Sequence, residues 1–249
     1  MRRPNSLTHA RARAAALAAL LILAIPGTAH AAPGLGDEVY GATIEQGEVE
    51  AEARYGRLAG GADSGEDALK LELAYAPTSR LRLGTQIEFE REAGQSRKAE
   101  AMGFEAIYSL GKVAGIDVAI YGEYEAVFHG PDALEGKLLL EKRAGPFDAR
   151  LNLIGNKPLK GGEKLALSYA ASADLAVGED WRLGMAAFGD LGDFDNFAPR
   201  AEHFAGPVVK TEIEGLGPEL GIEFGYLFAL GAARDDSKGQ LRLNLEMEF

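Results

Sequence analysis

The chain has 249 residues, 47% of them hydrophobic and none of them cysteine, and its formal net charge is -12 at pH 7. This length and composition fit one large folded domain. The missing cysteine excludes disulfides, thiol catalysis, cysteine-ligated metals and a lipidated N-terminal cysteine. The acidic excess disfavours nucleic acid as a partner, because two polyanions repel each other.

The first 31 residues have the three-part pattern of a secretory signal peptide. A basic stretch with four arginines precedes an apolar run from Ala14 to Ile25, and small residues lead to a peptidase site after Ala31. The apolar run is shorter than the roughly 20 residues that a helix needs to cross a bilayer. We therefore predict export with cleavage after Ala31, which changes the net charge to -12 - 4 = -16.

From Glu48 onward, apolar and polar residues alternate in segments of roughly ten residues, each closed by turn residues. Successive side chains of a strand point to opposite faces, so a membrane barrel needs an apolar residue at every second position, whereas its inner face accepts charge. The final segment is the clearest example, with apolar residues at Leu241, Leu243, Leu245, Met247 and Phe249. A soluble sheet can also alternate, but the repetition along the whole chain favours the membrane barrel.

The segments number ten to twelve, and the two weakest are the alanine-rich stretch 49–55 and the stretch 209–213, which follows Pro207. Counting both gives twelve, an even number that brings the two ends of a barrel to one side. The sequence thus predicts an all-β fold, a transmembrane antiparallel up-and-down β-barrel of about twelve strands.

The links between the segments alternate in length, as they do in barrels with tight periplasmic turns and longer external loops. The short links are 76–80, 111–115, 144–146, 177–180 and 215–218, and most of the others are longer or more polar. The exception is 129–132. Outward aromatic residues also fall at strand ends, where lipid headgroups lie: Tyr75, Tyr108, Phe147, Trp181 and Phe249 at the periplasmic ends, and Tyr55, Phe89, Phe128 and Phe228 toward the outside.

The signal peptide, the amphipathic last strand and the aromatic C-terminal residue resemble those of Gram-negative outer-membrane barrel proteins over the whole mature chain. The resemblance is porin-like but generic, and it identifies no specific family. It implies an outer-membrane location, contact with membrane lipid and lipopolysaccharide, and recognition of Phe249 by the barrel assembly machinery as an insertion signal. The acidic, alanine-rich first strand departs from the group's pattern. The sequence therefore does not determine how the first and last strands pair to close the barrel.

If the apolar rows face lipid, the opposite rows line a charged lumen. Such a lumen either holds water and passes small polar or cationic solutes, or pairs its charges in a non-conducting structural or surface-binding barrel. Twelve strands form a wider barrel than the eight that side chains can fill, and we therefore favour the narrow channel. The lumen-lining candidates are Lys70, Glu72, Arg82, Glu88, Glu90, Glu105, Glu123, Glu125, Arg150, Arg182, Lys210, Glu212, Arg242 and Glu246.

Two other kinds of site have weaker support in the sequence. Asp190, Asp193 and Asp195 lie in the link 190–203 and offer oxygen ligands to a hard cation such as calcium, but the full calcium-loop motif is missing. A solvated acidic loop is the preferred interpretation, and no cofactor is predicted. His129 and His203 lie near predicted external ends, where a lipid- or peptide-hydrolysing barrel would have its site, but neither has a nearby serine. We predict that the protein is not an enzyme.

The sequence therefore divides into a signal peptide (1–31), an N-terminal periplasmic segment (32–47) and an outer-membrane β-barrel (48–249).

Overall fold

A computed structural model describes residues 32–199, 201–213, 215 and 217–249 of the protein, so the predicted signal peptide lies outside the described residues. Twelve antiparallel strands pair in sequence order, and β1 pairs with β12 to close a barrel, which confirms the predicted fold and strand number. The strands are β1 (Val49–Ala59), β2 (Asp67–Thr78), β3 (Leu81–Arg91), β4 (Lys98–Val113), β5 (Ile116–Val127), β6 (Ala133–Ala144), β7 (Phe147–Pro158), β8 (Ala166–Ala176), β9 (Trp181–Gly192), β10 (Glu202–Ile213), β11 (Glu219–Gly231) and β12 (Gly239–Glu248).

Helical structure is minor in the part of the chain that the structure describes. A short 3-10 turn (Ala232–Asp235) lies in the link between β11 and β12. Within the described ranges, no helix has the length and apolar character to span a membrane.

The links distinguish the two ends of the barrel. The links 79–80, 114–115, 145–146 and 177–180 lie at one end, together with the described residues between β10 and β11 (215, 217 and 218), the start of β1 and the end of β12. We call this the short-turn end. The links 60–66, 92–97, 128–132, 159–165 and 232–238 lie at the opposite end, together with the described residues between β9 and β10 (193–199 and 201), and we call this the long-loop end.

The outer surface of the barrel is apolar, as the alternation in the sequence predicts. On β2 the outward Leu73 is 62% exposed, whereas the neighbouring Glu72, which points inward, is 3% exposed. Phe104, Leu183 and Phe224 repeat this outward exposure on other strands. A surface of this kind is stable in hydrocarbon, where every backbone group must pair within the closed sheet.

Pro207 lies within β10 and explains why the sequence signal for this strand is weak. Its pairing with β9 is continuous and matches Pro207 with Met185. On the other side, the pairs recorded with β11 jump from Ala205↔Phe228 to Val208↔Gly225. Proline has no N–H to donate, so the ladder with β11 is interrupted locally while the strand itself continues.

Residues 32–47 lie inside the barrel in the structure, rather than in the periplasmic position that we expected from the sequence. We call them the N-terminal segment. Near the short-turn end, the Gly47 N–H donates to the Ala76 carbonyl at 2.8 Å. Toward the long-loop end, Gln240 near the start of β12 donates to the Pro33 carbonyl at 3.1 Å. The segment therefore runs along the lumen between the two ends.

Candidate channel lumen

All fourteen predicted lumen-lining residues lie on the inward face of their strands. The register shows this, because directly paired residues of neighbouring strands share a face and these residues alternate with the apolar outward rows. Glu212 is exposed near the short-turn end, and Glu246 is paired in register with Glu52. The other twelve belong to the inner groups described below.

Tyr40 holds the middle of the N-terminal segment against the barrel wall. Its N–H donates to Asn152 Oδ1 at 2.8 Å, and Asn152 Nδ2 donates to the Tyr40 carbonyl at 3.0 Å. The Tyr40 hydroxyl donates to Glu105 Oε2 at 3.2 Å, and its ring centroid lies 5.0 Å from that of Tyr121. Burial raises the pKa of Tyr40 well above its ordinary value, so this hydroxyl stays protonated.

Arg54 of β1 is the centre of a buried ion-pair network behind Tyr40. Its guanidinium lies 2.9 Å from Glu38 of the N-terminal segment, 3.1 Å from Glu52 and 2.7 Å from Glu72. Among the described residues, these three glutamates form the one carboxylate group with a spacing suited to a metal ion. Because Arg54 pairs with all three, its guanidinium already occupies the position of a cation beside them.

Arg82 extends the same network toward the short-turn end. It pairs with Glu50 at 2.6 Å and with Glu72 and Glu105 at 2.8 Å each. Glu72 thus bridges two arginines, and Glu105 connects Arg82 to Tyr40. This part of the lumen is a densely paired polar core, in which removing one member leaves its partners buried without compensation.

A second network anchors the part of the N-terminal segment nearer the short-turn end. Glu141 of β6 accepts hydrogen bonds from the Ala42 N–H at 3.0 Å and from the Thr43 N–H and hydroxyl at 3.1 and 2.8 Å. Arg150 of β7 lies 3.4 Å from Glu141 and 3.2 Å from Asp148. The carboxylate of Glu141 therefore serves both as an acceptor for the segment and as an ion-pair partner.

Apolar side chains fill the inner wall between β9 and β1 toward the long-loop end. Leu35 of the N-terminal segment belongs to a buried cluster with Phe188, Phe204 and Leu227. Gly56 of β1 permits the close approach of the segment, because a β-carbon there would lie 2.6 Å from the Gly36 nitrogen. This side of the lumen is packed like a protein core.

The wall formed by β3 to β6 is different, because it is acidic and retains access to solvent. Five half-buried glutamates share this side: Glu88, Glu90, Glu123, Glu125 and Glu135. Two lysines lie among them: Lys70 is 3.3 Å from Glu88, and Lys137 is 3.0 Å from Glu135. The lysines leave a net negative charge on this surface, which we call the acidic wall.

Asp37 connects the N-terminal segment to the acidic wall. Its carboxylate accepts a hydrogen bond from Lys70 Nζ at 2.8 Å, and 46% of its side chain remains exposed to the lumen. Enclosure by the barrel opposes ionisation of Asp37, but the charges of Lys70 and Lys137 outweigh this and lower its pKa to about 2. Asp37 is therefore ionised at all physiological pH values.

The wall formed by β8 to β12 carries the remaining predicted residues. Asp174 pairs with Arg182 and with Lys210 Nζ, the latter at 3.0 Å, and Lys210 also lies 3.6 Å from Glu223. Arg242 donates to the Gly34 carbonyl at 2.5 Å, and its guanidinium lies 4.3 Å from the centre of the Phe188 ring. The basic residues of this wall are thus engaged with carboxylates or with the N-terminal segment.

The three aspartates proposed as weak metal candidates do not share one loop. Asp190 lies within β9, so the link begins at residue 193. Lys164 Nζ lies 3.1 Å from Asp193 and 3.2 Å from Asp195, and the hydrogen bond from Lys164 lowers the pKa of Asp193. These two carboxylates already face an ammonium group, which favours the solvated acidic loop over a calcium site.

The two histidines lie in different surroundings. His203 is on β10, and the nearest ring nitrogen lies 3.4 Å from the Tyr169 hydroxyl. His129 lies in the link 128–132, where Asp132 accepts hydrogen bonds from Tyr124 and from the Val127 N–H. In the described residues, Asp132 is thus engaged with groups other than His129.

Sequence reasoning missed the residues that fix the N-terminal segment. Asp37, Glu38 and Tyr40 lie in a stretch without alternation, and we therefore assigned it to the periplasm. Asn152 belongs to an inward row, but nothing local indicates that it pairs with a backbone group 112 residues away.

No protein-family model matches the chain, and no curated protein matches it. Solved structures share its fold. The KdgM porin superposes with a TM-score of 0.57 at 10% sequence identity, covering 80% of this chain and 99% of that one. The KdgM porin in complex with disordered oligogalacturonate gives 0.58 at 9% identity, with coverage of 80% and 99%. The COG4313 outer membrane channel from Pseudomonas putida F1 gives 0.61 at 11% identity, with coverage of 86% and 98%. This chain therefore has the fold of outer-membrane β-barrel proteins.

Proposed function

We propose that the protein is an outer-membrane channel for small polar or cationic solutes, and that the N-terminal segment restricts its opening. The observation that carries this proposal is the acidic wall. Its half-buried glutamates and the exposed part of Asp37 form a wet, negatively charged surface beside a lumen that is otherwise packed. Rings and rows of carboxylates favour cations over anions in channels.

The channel fold and the apolar outer surface support a location in the outer membrane. Charge argues against a ligand like that of the KdgM complex, because oligogalacturonate is a polyanion and the acidic wall would repel it. Neutral polar molecules and small cations meet no such barrier. We therefore derive the solute class from the charged side chains that line the lumen of this chain, and not from its structural relatives.

The alternative is a non-conducting barrel with a structural or surface-binding role. The observation that favours it is the dense occupation of the lumen by the N-terminal segment, the Arg54 network and the Leu35 cluster. The two candidates differ in whether solvent crosses the barrel. An ion-conductance measurement separates them.

The test uses the processed chain, refolded in detergent and inserted in planar bilayers. A matched variant replaces residues 34–44 with Gly-Ser repeats of equal length, which keeps the barrel strands intact. We expect small, cation-selective steps from the natural chain and larger steps from the variant. Selectivity is measured as the reversal potential in a KCl gradient. The variant E88Q/E125Q should reduce cation selectivity, whereas the surface variant E163Q should not.

Absence of conductance steps from both the natural chain and the Gly-Ser variant would reject the channel. Folding must be verified in the same samples by resistance to cold detergent with a mobility change on boiling. The location is tested separately by fractionation. Recovery of the protein in the soluble periplasmic extract, with none in the envelope pellet, would contradict an outer-membrane protein.

A further inference from the structure

The outer surface carries an arginine cluster near the long-loop end that the channel function does not use. Arg57 of β1, Asp67 of β2 and Arg91 of β3 are directly opposite one another in register, so their side chains share the outward face. Arg97, in the link before β4, reaches the same aspartate. We call Arg57, Arg91 and Arg97, with the central Asp67, the rim cluster.

Asp67 holds two of the guanidinium groups in place. Arg97 donates to its Oδ1 from Nε at 3.0 Å and from Nη2 at 2.6 Å, and Arg91 pairs with Oδ2. The Asp67 side chain is fully buried, whereas those of Arg91 and Arg97 remain 31% and 35% exposed. The carboxylate is thus covered by the arginines, and they keep accessible surface toward the outside.

The remaining contacts of the rim cluster involve Arg97 and leave Arg57 exposed. Arg97 also lies over the ring of Tyr55, 5.7 Å from its centre. Arg57 is exposed, while both oxygens of the opposing Asp67 are occupied by the other two arginines. The three arginines and the one aspartate carry a formal charge of +2, although the chain as a whole has a net charge of -12.

The depth of the rim cluster matches the headgroup region of a membrane. Tyr55, Leu69 and Phe89 are directly opposite one another on the same face, one alternation step below. Two residues of a strand span about 6.6 Å. Outward aromatic residues mark the boundary between hydrocarbon and headgroups, so the guanidinium groups lie just beyond this boundary.

From this geometry we propose that the rim cluster binds a phosphate group of a phosphorylated glycolipid in the outer leaflet, the lipid A part of lipopolysaccharide. Guanidinium groups present paired donors that match phosphate oxygens, and they outperform ammonium groups at such sites. The acyl chains of the same lipid would lie on the apolar rows below Tyr55 and Phe89. The proposal assumes the outer-membrane location but does not depend on conductance.

The test is native mass spectrometry of the folded full barrel in detergent with bisphosphorylated lipid A, and with dephosphorylated lipid A of the same acyl chains. The variant R57Q removes an exposed charge and should not disturb folding. The variant D67N/R91Q/R97Q removes the ion pairs together, so that no buried carboxylate is left unpaired. The control R80Q removes one exposed charge from the link 79–80, at the opposite end of the barrel.

We expect R57Q to bind bisphosphorylated lipid A about fivefold more weakly, the size expected for one basic residue at a membrane surface. The triple variant should lose more, and R80Q should match the natural chain. Dephosphorylated lipid A should bind weakly to every variant. Equal binding of both lipids by the natural chain, or an equal loss in R57Q and R80Q, would overturn the proposal. Conductance is measured on the same proteins, so failure of the channel proposal remains distinguishable.

Discussion

Tyr40 and Asn152 form a reciprocal pair of hydrogen bonds inside the barrel, in which the side-chain amide of Asn152 satisfies both the N–H and the carbonyl of Tyr40. Asn152 is fully buried, and Tyr40 is nearly so. A strand residue bonds its N–H and carbonyl to the backbone of a neighbouring strand in the same way, but here one side-chain amide takes the place of that backbone. The N-terminal segment is thereby fixed to β7 without joining the sheet.

Replacing Asn152 with alanine should therefore loosen the N-terminal segment while leaving the barrel closed. Each buried group of Tyr40 left without a partner costs about 1–3 kcal/mol. We expect faster hydrogen exchange at the Tyr40 amide and more frequent conductance openings in N152A. The control N156A lies on the same strand, where Asn156 makes a longer contact of 3.4 Å to Glu135. Unchanged exchange at Tyr40 in N152A would contradict the anchoring role.

Arg54 should be essential for the stability of the barrel interior. The variant R54M leaves Glu52 buried without an ion-pair partner and leaves Glu72 with Arg82 alone, which costs about 3–5 kcal/mol. The midpoint of urea unfolding in lipid vesicles should fall accordingly. K112M is the matched control, because Lys112 makes an exposed pair with Asp117 and such pairs contribute about 0–1 kcal/mol. Equal midpoints for the two variants would show that the network is not needed for stability.

Glu66, in the link before β2, should make stability depend on pH. Burial, followed by the negative charges of Asp63 and Glu92, raises the pKa of Glu66 from 4.5 to about 7. A carboxyl whose pKa is higher in the folded state binds a proton on folding, so its contribution to stability falls as the pH rises from 4.5 to about 7.

The variant E66Q removes this contribution. It should match the natural chain at pH 4 and exceed it at pH 8, and a gain of about 1 kcal/mol would raise the Tm by about 2–4 °C. Thermal unfolding followed by circular dichroism at both pH values measures the difference. E163Q, on the exposed link 159–165, serves as the control. An equal Tm difference between E66Q and the natural chain at both pH values would disprove the assignment.

A substitution of Phe249 tests whether this residue is the insertion signal that the resemblance to outer-membrane barrels implies. Its side chain is 65% exposed, and its N–H donates to the Val49 carbonyl at 2.9 Å, a bond that any residue can make. The variant F249A should therefore refold in detergent like the natural chain but accumulate less in the outer membrane of cells. F228A removes another outward aromatic residue, at the opposite end, as a control. Equal accumulation of F249A and the natural chain would exclude an assembly role for this side chain.

The barrel could be predicted from sequence because its defining property is local and repeated. Every second residue of a membrane strand must be apolar, and twelve segments with this pattern give the strand number, the inward rows and the alternation of links. Even β10 with Pro207 followed the pattern, since proline removes one donor without ending the strand. The extent of the acidic link was overestimated, because Asp190 continues the alternation of β9.

The position of the N-terminal segment was decided only by the tertiary structure. Its partners Glu141, Asn152 and Arg242 lie 99, 112 and 208 residues away, and no local period records such contacts. The amino-acid sequence by itself determined which side chains face lipid and which face inward, because that choice depends on the hydrophobic effect at each position. Whether the inward charges are hydrated or paired depends on which other residues occupy the lumen. Only the tertiary structure places Asp37, Glu38 and Tyr40 of the N-terminal segment beside them.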